Sequence, residues 1–366
     1  YNYRTRLMAN EIEKVNTIEI TDIEKINGKT DDNIEKLNAL EFAGVVDPLF
    51  AGTRAVIAGG DDGTSLEDTT NVIGYKTITT DGNTADFGDL VSARGMFKGA
   101  GSNISRGVWV SGRTDGYPNT NTHVTDMDYV TVGSTGNATD FGDANVASAN
   151  GARDGSSNGT LLFSCGGFRS GAGNQQDDME YITIASTGNG TNAGDLMEVN
   201  NGCVGTHGNT RYLVAGGYDG GSATLDRIQY NDFSTSANCS DFGDLTANNQ
   251  YPGSASSVTR ACIWLSSAYD VAGGGTLSID FVTVASTGNA SDFGDKAIQS
   301  AESTGTSNGT RGELYGGEIS GGEGGSESGI PAVNVIQKIT IDSAGDATNI
   351  GDLTVDVKSA GALSGT

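Results

Sequence analysis

The segment STGNATDFGD (residues 134–143) occurs five more times with small changes, as TDGNTADFGD (80–89), STGNGTNAGD (186–195), TSANCSDFGD (235–244), STGNASDFGD (286–295) and SAGDATNIGD (343–352). The closing Gly-Asp pairs stand 54, 52, 49, 51 and 57 residues apart. That spacing is too regular for chance and too variable for a fibrous repeat, so the chain reads as six copies of one modular unit.

Working outward, each copy carries the same internal order. A short apolar run comes first, usually led by Arg: RAVIAGG (54–60), RGVWVSG (106–112), LLFSCGG (161–167), RYLVAGG (211–217), RACIWLS (260–266) and RGELYGG (311–317). A variable polar loop follows, and then a β-branched and aromatic run such as MDYVTV (127–132), MEYITI (179–184), IDFVTV (279–284) or IQKITI (336–341). The repeated turn and last run close the unit, and a stretch of small residues such as IQSAESTGTSN (298–308) leads to the next. Short runs of Val, Ile, Thr, Tyr and Phe bounded by Gly, Asn, Asp and Ser read as strands, four to a unit. Six such units predict an all-β fold, a six-bladed β-propeller. A solenoid is the competing arrangement. The extra small-residue segment VDVKSAGALSGT (355–366) argues for closure, because it supplies the strand that the first unit lacks.

Small residues suit the inner strands, which converge on a narrow channel. Phe87, Phe141, Phe242 and Phe293 share one position in the last strand, where a blade is wide enough to bury an aromatic ring; Ala193 and Ile350 replace it elsewhere. The repeated Asp89, Asp143, Asp195, Asp244, Asp295 and Asp352 do not suggest catalysis, since a catalytic group is needed once. Arg54, Arg106, Arg211, Arg260 and Arg311 recur equally, and a ring of structural Arg–Asp pairs stitching the blades is the expectation.

The order of small strand, Arg, apolar strand, Gly-Gly, aromatic strand and terminal strand resembles the kelch repeat, although Trp109 and Trp264 lie in the Arg-led strand rather than the last one. The wording TGNATDFGDL, together with an IEKIN segment near the start, resembles structural appendage proteins of tailed bacteriophages. That resemblance implies a non-enzymatic virion protein: a tail fibre, adaptor or capsid decoration, located on the virion and oligomeric in the assembly. Its implied partners are other virion proteins, with host-surface glycan as a further one. The alternative reading is a secreted or cell-surface bacterial lectin-like propeller, which would be extracellular.

Residues 1–41 differ in composition, with six basic and nine acidic residues, and repeat one phrase at a period of 11: IEKVN (12–16), IEKIN (23–27) and IEKLN (34–38). An 11-residue period suits a right-handed helical supercoil, but the third apolar position falls on Glu19, Thr30 and Glu41, and Asn27-Gly28 interrupts. The expectation is an anchoring arm of short strands and turns, a docked helix being the alternative. Residues 42–49 form a linker, and 50–366 the propeller.

The full chain of 366 residues has 21 Lys plus Arg against 46 Asp plus Glu, a net charge of −25, which opposes nucleic-acid binding by counterion release. No apolar run is long enough for membrane insertion. Cys165, Cys203, Cys239 and Cys262 are widely spaced and read as buried thiols; with His123 and His207 they assemble no metal-ligand spacing, and no cofactor is expected. The oxygen ligands of Asp61-Asp62-Gly63 with Glu67 and Asp68 match a calcium loop poorly. Sequons at Asn137, Asn189, Asn238 and Asn289 belong to repeated turns, where Asn serves the backbone. The loops between second and third strands vary most and emerge on one face, the usual place for binding on a rigid scaffold. Tyr117, Phe168, Tyr218 and Tyr269 lie in or beside them and are the candidates for stacking on sugar rings.

Overall fold

The computed structural model describes residues 50–366 except 51, 63–68, 115–121, 150, 152–153, 155, 170–174, 222–223, 267–275 and 320–331, together with eight strands of two or three residues between Leu7 and Phe42. The chain divides into two compact units, Tyr1–Pro48 and Leu49–Thr366. In the first unit the 11-residue phrase is extended rather than helical. Lys14–Val15 pairs with Ile18–Glu19, Lys25–Ile26 with Lys29–Thr30, and Lys36–Leu37 with Leu40–Phe42, so each phrase supplies one antiparallel pair.

The second unit is a six-bladed β-propeller. Each blade is a four-stranded antiparallel sheet, and in blades 2 to 6 the strands lie in chain order from the axis outward. Blade 2 shows the pattern, with strands Gly99–Ser102, Arg106–Arg113, His123–Thr131 and Thr139–Asp143. Blade 1 takes its three outer strands, Arg54–Ala58, Val72–Thr77 and Ala85–Asp89, from the start of the unit and its innermost strand, Gly361–Gly365, from the end of the chain. Gly361 pairs with Ala58 and Gly365 with Arg54, which closes the ring as the spare C-terminal segment predicts. A solenoid is thereby excluded.

The core lies between blades rather than within them. Six clusters of buried residues fill the six junctions. This explains the second strands, which are buried along nearly their whole length because both faces of each sheet meet a neighbour, unlike a sheet with one wet side. Phe87, Phe141, Phe242 and Phe293 are all buried, each ring edge-on to an aromatic of the third strand in its own blade, Tyr75, Tyr129, Tyr230 or Phe281. The leading arginine caps the same stack: Arg54, Arg106, Arg211 and Arg260 lie 4.4–4.7 Å over those third-strand rings. Blades 3 and 6 change the set together. Blade 3 has Leu161, Tyr181 and Ala193, whereas blade 6 has Arg311, Lys338 and Ile350, with both cations paired to Asp81 of blade 1.

The arginines do cross to the next blade, but their acceptors correct the expectation. Arg54 donates to the carbonyl of Val132, Arg106 to Ile184, Arg211 to Val284 and Arg260 to Ile341, each at the end of the next blade's third strand. Arg311 reaches Thr80 and Asp81 across the closure. Among the described residues none of these arginines pairs with a Gly-Asp carboxylate. A main-chain carbonyl at a fixed register is available at every junction whatever the side chains, which makes it the more dependable acceptor.

The Gly-Asp pair stitches the blades through its own backbone instead. The N–H groups of Asp89, Asp143, Asp195, Asp244, Asp295 and Asp352 donate to the side-chain oxygens of Asn137, Asn189, Asn238, Asn289, Asp346 and Asn83 in the following blade, all at 3.0–3.2 Å. The carbonyls of the same aspartates accept from Ala138, Gly190, Cys239, Ala290, Ala347 and Thr84 at 2.7–3.0 Å. A β-bulge in the outer two strands turns the backbone outward to make both contacts.

A second set of inter-blade contacts was not expected from the sequence. Polar side chains at one third-strand position are buried and accept a backbone N–H from the segment just after the previous Gly-Asp: Asp128 from Val91, Glu180 from Asn145, Gln229 from Met197, Asp280 from Thr246 and Gln337 from Ile298. In blade 1 the equivalent residue is Gly74, and Thr84 Oγ1 takes over by accepting from Thr354 at 2.9 Å.

Candidate functional site

Antiparallel strands in this order put two kinds of loop on each face of the propeller. One face carries the loops between first and second strands and the turns between third and fourth strands. The other carries the loops between second and third strands and the connections between blades. The two ends of the central channel differ accordingly.

On the first face the inner strands end in Ser102, Ser157, His207, Ser256, Ser307 and Ser364, six equivalent positions. Ser157 donates its hydroxyl to the Ser102 carbonyl, Ser102 to Ser364, Ser364 to Ser307 and Ser307 to Ser256, a chain of hydrogen bonds around the axis. His207 breaks it and stacks at 5.3 Å on Phe50, which lines the same mouth. Burial pushes the His207 imidazole down to about 4, so it is neutral near pH 7. The channel holds a cavity of about 40 Å³, lined by these residues and Asp154, which accepts from the Ser254 N–H and the Thr304 hydroxyl. That is room for a few water molecules and no larger ligand. Near-uniform residues joined by the serine chain make this end structural, although Thr206 Oγ1 and His207 Nδ1 are buried there without a hydrogen-bond partner.

The opposite end is diverse. After the second strand of blades 1, 2, 3, 4 and 6 the chain makes a left-handed turn, Gly59-Gly60 in blade 1 and its equivalents, and the next residue bridges back to the connection between blades. A Cβ at Gly59 would sit 2.2 Å from the Arg94 carbonyl, so the turn demands glycine or, at Ser111, a strained residue with φ of 57°. The residues it presents are Asp61, Arg113, Phe168, Tyr218 and Glu318, bridged to Lys358, Gly95, Ala149, Asn201 and Ala301. Five equivalent positions thus carry two acids, one base and two aromatics on identical backbone.

Of the expected stacking residues, Phe168 and Tyr218 lie at this ring, both partly exposed. Tyr117 and Tyr269 fall outside the described residues. So do Gly63, Glu67 and Asp68 of the considered calcium loop, while Asp61 is buried and bridged in backbone to Thr69 and Lys358. His123 and His207 are at opposite mouths: His123 packs edge-on to Phe168 at 5.7 Å, His207 against Phe50 and Phe233. The four cysteines are buried thiols that form no disulfide. Three of them, Cys165, Cys203 and Cys239, share the core between blades 3 and 4, where burial raises the Cys165 thiol well above its usual range and pushes Cys239 up to about 12.

Buried cations surround the diverse ring, at positions outside the repeated motifs of the sequence. Arg94 is paired with Asp128 at 2.8 Å, Lys98 with Asp178 at 2.6 Å and Glu180 at 2.9 Å, and Lys358 with Glu318 at 2.7 Å. Burial would lower the Lys98 ammonium, but the two carboxylates outweigh it and raise it. Lys296 pairs with no carboxylate among the described residues and donates to the Leu265 and Ser300 carbonyls, and burial brings it down to about 7. Lys296 alone has a plain signal in the sequence, a cation where four other units have Leu90, Leu196, Leu245 and Leu353.

No protein-family model matches the chain, and no curated protein is significantly similar to it.

Proposed function

We propose that this chain is a non-enzymatic structural component of a tailed-bacteriophage virion, a tail fibre, adaptor or capsid decoration. In this reading the N-terminal unit anchors it to other virion proteins and the propeller is displayed for assembly or host-surface contact. The observation that carries the display role is the contrast between the two channel mouths. A scaffold that repeats one Gly-Asp backbone latch at six junctions carries unlike side chains at one ring of positions, Phe168 and Tyr218 partly exposed and Asp61, Arg113 and Glu318 buried, an arrangement that suits a recognition surface on a rigid frame. The virion assignment is supported by the TGNATDFGDL and IEKIN wording and by strand pairs too short to be stable alone.

The test is an antibody against the propeller applied to purified particles. Labelling of virions and blocked adsorption to host cells are the expected results, and a particle proteome without this chain overturns the assignment. The partly exposed Phe168 and Tyr218 favour one second reading, a secreted or cell-surface bacterial lectin-like propeller. Glycan binding that survives deletion of residues 1–41, by a chain absent from virions, would establish it.

A further inference from the structure

We propose that Arg113 is the recognition point for a carboxylate-bearing sugar, a uronic- or sialic-acid residue, on the diverse face of the propeller. This rests on the host-surface reading above and specifies its ligand.

Arg113 ends the second strand of blade 2 and is 6% exposed. Its backbone is fully used, exchanging hydrogen bonds with Gly95 at 2.9 and 3.0 Å. Its side chain is not: Nε and Nη2 are buried and have no hydrogen-bond partner, and among the described residues no carboxylate forms an ion pair with it. The contrast with its neighbours is specific. Arg94 also has buried nitrogens without well-aligned hydrogen bonds, yet Asp128 lies at 2.8 Å and the Ser111 carbonyl accepts from Nη1. Lys76, Lys98 and Lys358 each have a carboxylate, and Lys296 has two carbonyls and sheds its charge. A guanidinium cannot shed its charge near neutral pH, so burying one without an anion is costly. A site that keeps it is prepared for an anion.

The surroundings select the kind of anion. A guanidinium fork matches a carboxylate with two parallel N–H donors. His123 stands directly opposite Arg113 across the strand pair, on the same side of the sheet, and its ring meets Phe168 at 5.7 Å and 75°. Phe168 is partly exposed, and the exposed Arg169 follows it. An unpaired guanidinium whose cross-strand neighbour His123 meets the partly exposed Phe168 therefore suits a single carboxylate carried on a sugar ring. The chain's net charge of −25 repels densely charged polyanions, so one negative charge on an otherwise neutral ring suits it better than an acidic peptide.

The experiment titrates the full chain with uronic- and sialic-acid oligosaccharides and with their methyl esters, which keep the ring and remove the charge. We expect the acids to bind about tenfold or more tighter than the esters. Arg113→Met should abolish the preference, and Arg113→Lys should retain part of it. Ligand-free Arg113→Met should melt no lower than wild type, because it removes an uncompensated buried charge. Equal binding of acids and esters overturns the proposal. So does a ligand-free Arg113→Met that fails to fold or melts lower by more than about 4 °C, since the guanidinium would then have a structural partner. Acid-selective binding indifferent to Arg113→Met, or Arg113-dependent binding of an acidic peptide alone, overturns it as well. Sugar binding that ignores charge would leave the glycan-display reading standing while this proposal fails.

Discussion

Gly142 shows what the glycine before each terminal aspartate is for. Its φ is +136°, and a Cβ there would lie 2.6 Å from the Gly188 carbonyl in the next blade, so no side chain fits between the two backbones. Gly136, in the turn of the same blade, has φ of +157° but nothing within 4 Å of a Cβ. Gly142→Ala should therefore destabilise by about 2–4 kcal/mol, and Gly136→Ala by only about 1 kcal/mol. Urea denaturation of both variants checks the order, and equal losses would remove the close-approach explanation.

Lys296 belongs to the same scale. Its folded value is about 7 against 10.5 for an ordinary lysine, because burial disfavours the ammonium. Between those values the unfolded chain holds a proton that the folded protein has released, so the contribution of Lys296 to stability rises with pH across the window from about 7 to 10.5. The limiting slope is about 1.4 kcal/mol per pH unit. Lys296→Met, close to the Leu of four other blades, should abolish this increment. Subtracting its denaturation free energies from those of wild type at several pH values in the window isolates the effect.

At the scale of the element, the last six residues complete blade 1. Gly361–Gly365 pairs along the whole of Arg54–Ala58, Leu363 packs in the core between blades 1 and 2, and Ala362 in the core between blades 6 and 1. Deleting residues 361–366 should remove parts of two cores and the only covering of one strand edge, leaving a chain without a cooperative transition. Circular dichroism and melting of the truncated chain test this. A synthetic peptide spanning 355–366 should restore the transition, and a truncated chain as stable as wild type would contradict closure by this strand. The strand sequences were legible because alternation and β-branched composition are local properties. The third-strand polar residues were not, since Asp128, Glu180 and Gln229 look like the solvent side of an ordinary strand until the next blade buries them.

At the scale of the molecule, the Gly-Asp latch is the same at the closure as elsewhere, whereas the junction between blades 3 and 4 lacks the leading arginine, with Leu161 in its place, and the serine chain breaks at His207. The junction between blades 6 and 1 uses Asn83 as the others use Asn137 or Asn189, with the same bond lengths to within 0.1 Å of one another. Asn83→Ala and Asn189→Ala should each cost about 0.5–1.5 kcal/mol and lower a single cooperative transition by similar amounts. A much larger loss at Asn83, or a second transition, would mark the closure as a separate step. Calorimetry of both variants decides between these outcomes.

The amino-acid sequence by itself determined the number of units, their four-strand order, the closing strand and the face that carries variable loops, because repetition and strand patterning survive without any knowledge of contacts. Only the tertiary structure decided who bonds to whom between blades. The arginines found carbonyls instead of the Gly-Asp carboxylates, the sequon asparagines became acceptors for the preceding blade, and Arg113 emerged as a cation without an anion among the described residues. The reason is physical: a partner about fifty residues away in sequence is chosen by register and by burial, and neither exists until the sheets have packed.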